Sequence, residues 1–126
     1  MRNFCWLTAV LAAIGALAAT PAGAQVTKET VQGITNFARV ETTVACAGAI
    51  KSDAVPDIKR MGFKSIIDLR LASEPDANID AESAAAVAAG IVFVHIPFET
   101  AKPDPAAVDT FLKTITTPGT EPAFIH

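Results

Sequence analysis

The stretch Lys64-Ser65-Ile66-Ile67-Asp68-Leu69-Arg70 decides the fold of this chain. Its β-branched run is too short for a typical helix and favours a buried strand of a parallel sheet. Two further apolar stretches, Ile91 to Ile96 and Pro122-Ala123-Phe124-Ile125-His126, have a similar length, and Pro97 ends the first of them. These three segments predict three strands.

Helical patterns separate the predicted strands. Ser52 or Asp53 can cap a first helix, which carries Val55, Ile58 and Met61 on one side and stops at Gly62. A polar loop, Ser73-Glu74-Pro75-Asp76, precedes an Ala-rich helix that opens with Asp80 and Glu82 and closes at Gly90.

A third helix begins at Asp104-Pro105, since the carboxylate can accept free amide hydrogens while proline needs no partner at the first helical position. Its apolar residues fall at helical spacing and predict one stripe that packs on a sheet: Val108, Phe111, Leu112 and Ile115.

An alternating segment precedes all of these elements. Val40, Thr42 and Val44 recur with a period of two, which predicts one strand near a sheet edge. The order of strands and helices predicts an α/β fold with a mainly parallel central sheet flanked by helices. The loops after Arg70, Ile96 and His126 should then converge on one sheet edge, where such folds bind ligands.

The N-terminus has the pattern of a secretory signal. Arg2 precedes an apolar run from Leu7 to Ala19, and the small residues Pro21-Ala22-Gly23-Ala24 follow. The run is shorter than the roughly 20 residues a membrane-spanning helix needs. We predict a signal peptide at 1–24 cleaved after Ala24, a polar N-terminal arm at 25–36 and one domain from 37 to 126. The product would be periplasmic or secreted, without stable membrane insertion.

The net charge and the cysteine content of the chain exclude several classes of partner and site. The 126 residues carry 10 Lys and Arg against 13 Asp and Glu, a net charge of −3, and no basic block that would bind nucleic acid. After signal cleavage Cys46 would be the only thiol, which excludes an internal disulfide. Cys46, His95 and His126 are far apart in sequence and form no metal-ligand motif, so we expect no metal and no cofactor.

From about Phe37 to His126 the chain resembles bacterial tyrosine and dual-specificity phosphatase-like proteins, in particular the beta-lactamase-hydrolase-like phosphatase branch. Lys64 to Arg70, Gly90 to Phe98 and the terminal strand carry the resemblance. It implies a cysteine-phosphatase-like fold and hydrolysis of phosphate monoesters, on a phosphorylated protein or a small phosphate ester. It also implies that 37–126 is the N-terminal part of the domain, incomplete at its C-terminus, because the family's Cys-x5-Arg loop would begin after His126.

The resemblance assigns accessory roles to four residues. His126 matches the histidine that fixes the loop beside the nucleophile, and Asp68 and Arg70 match a segment that can buttress that loop. Glu99 is a carboxylate where a leaving-group acid is expected, with Thr100, Lys102 and Asp104 nearby. Each of these residues also has a purely structural interpretation. His126 can be a terminal residue, Asp68 and Arg70 a local ion pair, Glu99 an exposed loop charge and Asp104 a helix cap.

Two other residues are expected to be structural. His95 lies within an apolar strand and favours a hydrogen-bonded core histidine. Cys46 lies between two alanines without an adjacent basic residue, which favours a small buried side chain over a nucleophile.

Two alternative functions remain open at this stage. One is a pseudophosphatase that binds phosphate-bearing ligands without turnover, and the other is a rhodanese-like sulfur transferase, which also uses a cysteine in an anion-binding loop. In each case we expect the 126-residue chain itself to be inactive and, because its core would be incomplete, only marginally stable.

Overall fold

The structure, a computed structural model, describes residue 23 and residues 25–126. Nearly all of the predicted signal peptide at 1–24 lies outside the described residues. The described part has six strands, labelled β1 to β6 in chain order: Val26–Lys28, Ala38–Val40, Val44–Cys46, Ser65–Asp68, Val92–His95 and Ala123–Ile125. It has three α-helices, labelled α1 to α3: Val55–Arg60, Ile79–Ala89 and Pro105–Ile115.

The strands form a single mixed sheet in the order β1-β2-β3-β6-β4-β5. The last four strands of that order are parallel, with β6 pairing both β3 and β4 and with β5 outside β4. All four residues of β4 are buried, as expected for a central parallel strand. The predicted α/β fold with a mainly parallel sheet is confirmed.

The N-terminal edge of the sheet differs from the sequence prediction. The segment from Val40 to Val44 is not one strand, because Glu41 has a φ of 53° and the chain turns there, so that β2 and β3 pair antiparallel. Alternating residues on both sides of a short turn continue the period of two, which explains the error. The predicted polar arm at 25–36 contains β1 and buries Ile34 in the core, and so forms part of the domain.

Two helix ends match the sequence and one start does not. Gly90 ends α2 with a φ of 67°, in the left-handed conformation that glycine adopts without strain. Asp104 caps α3 by accepting a hydrogen bond from the backbone of Ala106 at 2.9 Å. Neither Ser52 nor Asp53 caps α1, since both belong to a 3₁₀ turn that runs directly into the helix.

The sheet has a hydrophobic core on each face. On one face α1 and α2 cover three phenylalanines, Phe37, Phe63 and Phe124, whose ring centroids lie 5.5–6.3 Å apart. On the other face α3 contacts a smaller core through Phe111 and Ile115.

Only part of the predicted apolar stripe of α3 packs on the sheet. Val108 and Leu112 of the predicted apolar stripe remain 41% and 51% exposed. None of the helices among the described residues has the length and apolar character that crossing a membrane requires.

Candidate functional site

The carboxyl ends of β4, β5 and β6 are joined at one edge of the sheet. Leu69 donates its backbone N–H to the carbonyl of His126 at 2.7 Å and accepts from Phe98 at 2.9 Å. Ile96 donates to the carbonyl of Asp68 at 2.8 Å. The segments that follow β4 and β5 therefore meet at His126, the residue after β6, at the edge where the sequence predicts convergence.

Three ionisable side chains meet beneath this edge. Asp68 ends β4, His126 follows β6, and Glu82 lies in the first turn of α2. Asp68 and Glu82 are 0% exposed and His126 is 7% exposed. One ligand atom from each of the three residues lies within 4.8 Å of the others. We refer to Asp68, Glu82 and His126 as the buried triad.

Strand alternation explains why these side chains meet. Ile66 packs in the core beneath α1 and α2 whereas Ile67 packs in the core beneath α3, so Asp68 returns to the α2 face. The same alternation places His126 on the face of Phe124, whose ring centroid lies 6.2 Å from the imidazole. Glu82 reaches the same place from the side of the helix that carries Ala86 into the core.

The triad is poorly satisfied by its own hydrogen bonds. Asp68 Oδ1 accepts from the backbone N–H of Arg70 at 2.8 Å. Within residues 25–126, no hydrogen-bond partner contacts Asp68 Oδ2, either carboxylate oxygen of Glu82 or either ring nitrogen of His126. His126 Nε2 and Glu82 Oε2 lie 3.1 Å apart, but their alignment does not meet hydrogen-bond geometry. The two side chains are therefore close neighbours without a hydrogen bond between them.

The Arg70 side chain makes all of its hydrogen bonds to described residues within the loop that follows β4. Its guanidinium donates to Glu74 Oε2 at 3.2 Å, to the carbonyl of Pro75 at 2.6 Å and to that of Asp76 at 3.4 Å. The carboxylate of Glu74 also accepts from the backbone N–H of Leu71 at 2.8 Å. This backbone hydrogen bond, followed by the one from Arg70, lowers the pKa of Glu74. Arg70 thus fixes the loop after β4.

His95 is half-buried rather than a fully buried core residue. Its Nε2 lies 2.8 Å from the carbonyl of Arg70, a polar contact of the predicted kind. The side chain also lines a surface cavity together with residues at the start of α2, among them Asn78 and Asp80. His95 therefore supports the loop after β4 from the neighbouring strand.

The acid candidates of the loop after β5 do not reach the triad. Glu99, Thr100 and Lys102 are exposed, and the carboxylate of Glu99 makes no hydrogen bond or ion pair among the described residues. Asp104 acts as the cap of α3. Among these described residues, only Asp104 makes a side-chain hydrogen bond, whereas Lys102 and Glu99 are joined by a backbone hydrogen bond at 3.1 Å.

The prediction that Cys46 is buried is wrong. Cys46 is exposed at the end of β3. The residue pairs in register with Ile125, and this side of the sheet is the α3 face, opposite the triad. Partial burial of the thiol raises its pKa, which disfavours the nucleophilic thiolate.

Glu82 is the site residue that the sequence analysis missed. From sequence alone, Glu82 is an acid in the first turn of α2 that opposes the helix dipole. A signal was available, because Glu82 lies three and four residues before Ala85 and Ala86, which pack toward the core. Helical spacing therefore places Glu82 on the inward face. The expectation of no metal site considered only local spacing, whereas the triad comes from three separate elements.

Comparison with known proteins gives one family and a set of related folds. The family model described as "Beta-lactamase hydrolase-like protein, phosphatase-like domain" matches residues 36–123. No curated protein matches the chain.

Similar solved structures show the same fold at low sequence identity. A DUF442 protein from Shewanella putrefaciens is 23% identical, with a TM-score of 0.68 over 75% of this chain and 60% of its own. TpbA from P. aeruginosa is 18% identical, with a TM-score of 0.59 over 85% of this chain and 61% of its own. The catalytic core of the PP-IP phosphatase SIW14 from S. cerevisiae is 18% identical, with a TM-score of 0.55 over 71% of this chain and 54% of its own. The chain thus spans less than two thirds of each of these structures.

Proposed function

The chain belongs to the phosphatase-like domain family of beta-lactamase hydrolase-like proteins, and from this premise we propose that its parent protein hydrolyses phosphate monoesters through a cysteine nucleophile. The observation that carries the proposal is the family match over 36–123 together with the joined carboxyl ends of β4, β5 and β6. Parallel α/β sheets bind ligands at this edge. The family match favours a phosphatase over a sulfur transferase.

The proposed nucleophile follows His126 in a loop of backbone amides. Such a loop binds an anionic ester and lowers the pKa of its thiol. His126 is held at the start of this loop by its backbone, which accepts from Leu69 and donates to the carbonyl of Ile67 at 3.0 Å. Asp68 and Arg70 act indirectly, since Asp68 accepts from the backbone of Arg70 and Arg70 fixes the adjacent loop.

Glu99 is the available carboxylate for protonation of the leaving oxygen. It lies on the loop after β5, which is bonded to the β4 loop through Phe98 and Leu69. Its exposure leaves it free to approach a substrate at this edge. A solvated acid of this kind suits esters with good leaving groups, because a strongly basic leaving group requires a well-positioned proton donor.

The substrate class we propose is an aryl phosphate such as phosphotyrosine. The structure of TpbA has also been solved in complex with pTyr. In that structure the TpbA chain is 17% identical to this chain, with a TM-score of 0.59. SIW14 is a PP-IP phosphatase, so inositol pyrophosphates form the competing class. Parallel assays with both substrates would separate the two classes.

The test compares hydrolysis of p-nitrophenyl phosphate by the 126-residue chain and by the longer protein proposed to contain it. We expect turnover only by the longer protein, reduced about 10³-fold or more when the cysteine after His126 is replaced by serine. Hydrolysis by the 126-residue chain that disappears on Cys46→Ser would contradict the assignment.

A binding module without turnover is the second candidate. It is favoured by the absence, among the described residues, of a carboxylate fixed toward the sheet edge from the loop after β5. Binding of phosphate or vanadate by the longer protein, without hydrolysis of either substrate class, would establish this alternative.

A further inference from the structure

We propose that the buried triad of Asp68, Glu82 and His126 binds a divalent first-row transition metal ion, with Zn²⁺ as the probe ion. The proposal does not require phosphatase activity, although it uses Asp68 and His126, which also belong to the proposed phosphatase site. It rests on the positions of the three side chains, their burial and the number of their atoms that lack partners.

Burying these three polar side chains without hydrogen-bond partners or a bound ion lowers the stability of the fold. The side chains of His126 and Glu82 are 0% and 1% exposed. Five polar atoms of the triad have no hydrogen-bond partner among the described residues. Buried polar groups are normally hydrogen-bonded, and buried charges are paired or coordinate metals.

Charge balance favours a divalent cation. Two ionised carboxylates in one buried cluster carry a charge of −2, and a single imidazolium would leave half of it unbalanced. A divalent ion bound by two carboxylates and a neutral imidazole gives a neutral site. The basic side chain nearest in sequence, Arg70, directs its guanidinium to the loop carbonyls and Glu74 instead of toward Asp68.

The geometry is close to that of a coordinated ion. Zn²⁺ binds carboxylate oxygen and histidine nitrogen at about 2.0–2.2 Å, so neighbouring ligands of a tetrahedral ion lie about 3.3–3.5 Å apart. The separation of 3.1 Å between His126 Nε2 and Glu82 Oε2 is similar to this spacing. The Asp68 ligand atom lies within 4.8 Å of the other two, so a side-chain shift of up to about 1.5 Å would bring it to the same spacing. The imidazole ligand favours zinc, copper, iron or nickel over magnesium, calcium and manganese, which prefer oxygen ligands.

The experiment titrates Zn²⁺ into the chelator-treated 126-residue chain by calorimetry. We expect one Zn²⁺ per chain. Loss of a residue that only supports a metal ligand costs 10–100-fold in affinity, so Asp68→Asn and Glu82→Gln should each weaken binding by at least about tenfold. Asp80→Asn is the matched control, because Asp80 lies in the same helical turn but is exposed, and it should bind as the unchanged chain does.

Two controls exclude adventitious binding. The Cys5→Ser/Cys46→Ser double variant should retain the site, and so should His95→Gln. Failure of the unchanged chain to bind Zn²⁺, equal binding by Glu82→Gln, or loss of binding in the cysteine variant would overturn the proposal.

Substitution with Co²⁺ tests the unchanged chain even if a triad variant fails to fold. Nitrogen and oxygen ligands should give visible d–d absorption without a thiolate charge-transfer band. A thiolate band, or no visible absorption at saturating Co²⁺, would refute the site.

Discussion

The lowered pKa of Glu74 makes the stability of the fold depend on pH. Its folded-state pKa is lowered by the backbone N–H of Leu71 and then by Arg70. The stabilisation is therefore complete above the ordinary pKa of a glutamate, about 4.3, and is lost as the pH falls through the lower folded-state value. We predict that Glu74→Gln lowers the melting temperature at neutral pH and that the difference disappears in acid. Circular dichroism melts from pH 7 to pH 2 would measure it, and a difference that grows toward low pH would contradict it.

Cys46 gives a second prediction at the residue scale. Because partial burial raises the pKa of its thiol, less thiolate is present at neutral pH than in a free cysteine. We expect iodoacetamide to alkylate Cys46 more slowly than glutathione at pH 7, with a rate that rises at higher pH than for glutathione. The measurement uses the Cys5→Ser variant, so that Cys46 is the single thiol. A rate above that of glutathione would identify an activated cysteine.

Individual residues could be predicted where a local rule decided their role. Asp104 combined a capping carboxylate with a following proline, and the structure confirms the cap. The roles of Asp68 and His126 came from a resemblance, and helical spacing places Glu82 on the inward face of α2 without indicating which residues it contacts. Such a contact depends on the angle at which α2 crosses the sheet, which is set by packing between distant segments.

The cap of α3 gives a prediction at the scale of the element. The Asp104 carboxylate accepts from Ala106 at the first turn, and α3 has no fully buried residue to hold it otherwise. Asp104→Ala should therefore lower the free energy of unfolding by about 1 kcal/mol. Urea unfolding would measure the loss, with Asp109→Ala as a control at an exposed position of the same helix. Equal effects of the two variants would show that the cap contributes nothing.

Among the elements, those with strong end signals were predictable. The positions of β4, α2 and α3 followed from a short β-branched run, a glycine stop and a proline start. The hairpin of β2 and β3 was not predictable in the same way. Glu41 adopts a positive φ at the turn, and this conformation is uncommon for residues other than glycine. The pairing of β3 with β6 joins residues about eighty positions apart and depends on the whole sheet.

For the whole molecule, we propose export to the periplasm or the extracellular space. Support comes from the charged start, the apolar run and the small residues before Gln25. The expected mature protein begins at Gln25 and lacks tryptophan, since the single Trp6 is removed. N-terminal sequencing of the protein from its native host would decide. An intact Met1 in a cytoplasmic fraction would overturn the proposal.

The exposed apolar side chains of α3 should determine whether the molecule stays monomeric in solution. Val108 and Leu112 are exposed, and Val108 also lines a wholly apolar groove with five residues of α3 and of the segments after β4 and β5: Leu69, Ile96, Phe98, Ala107 and Phe111. Each 100 Å² of apolar surface left in water forgoes about 2.5 kcal/mol, a substantial share of the roughly 5–15 kcal/mol that stabilises a small domain.

We therefore expect the 126-residue chain to be marginally stable and prone to aggregate. The double variant Val108→Glu/Leu112→Glu should raise the monomeric fraction in size-exclusion chromatography, because it removes exposed apolar side chains and adds like charge to an acidic chain. Ala106→Glu/Thr110→Glu is the matched control, since it adds the same charge at exposed positions of α3 without removing large apolar side chains. An equal gain in both variants would assign the effect to charge alone. A monodisperse unmodified chain that melts cooperatively above about 60 °C would show that the exposed side chains of α3 do not limit stability.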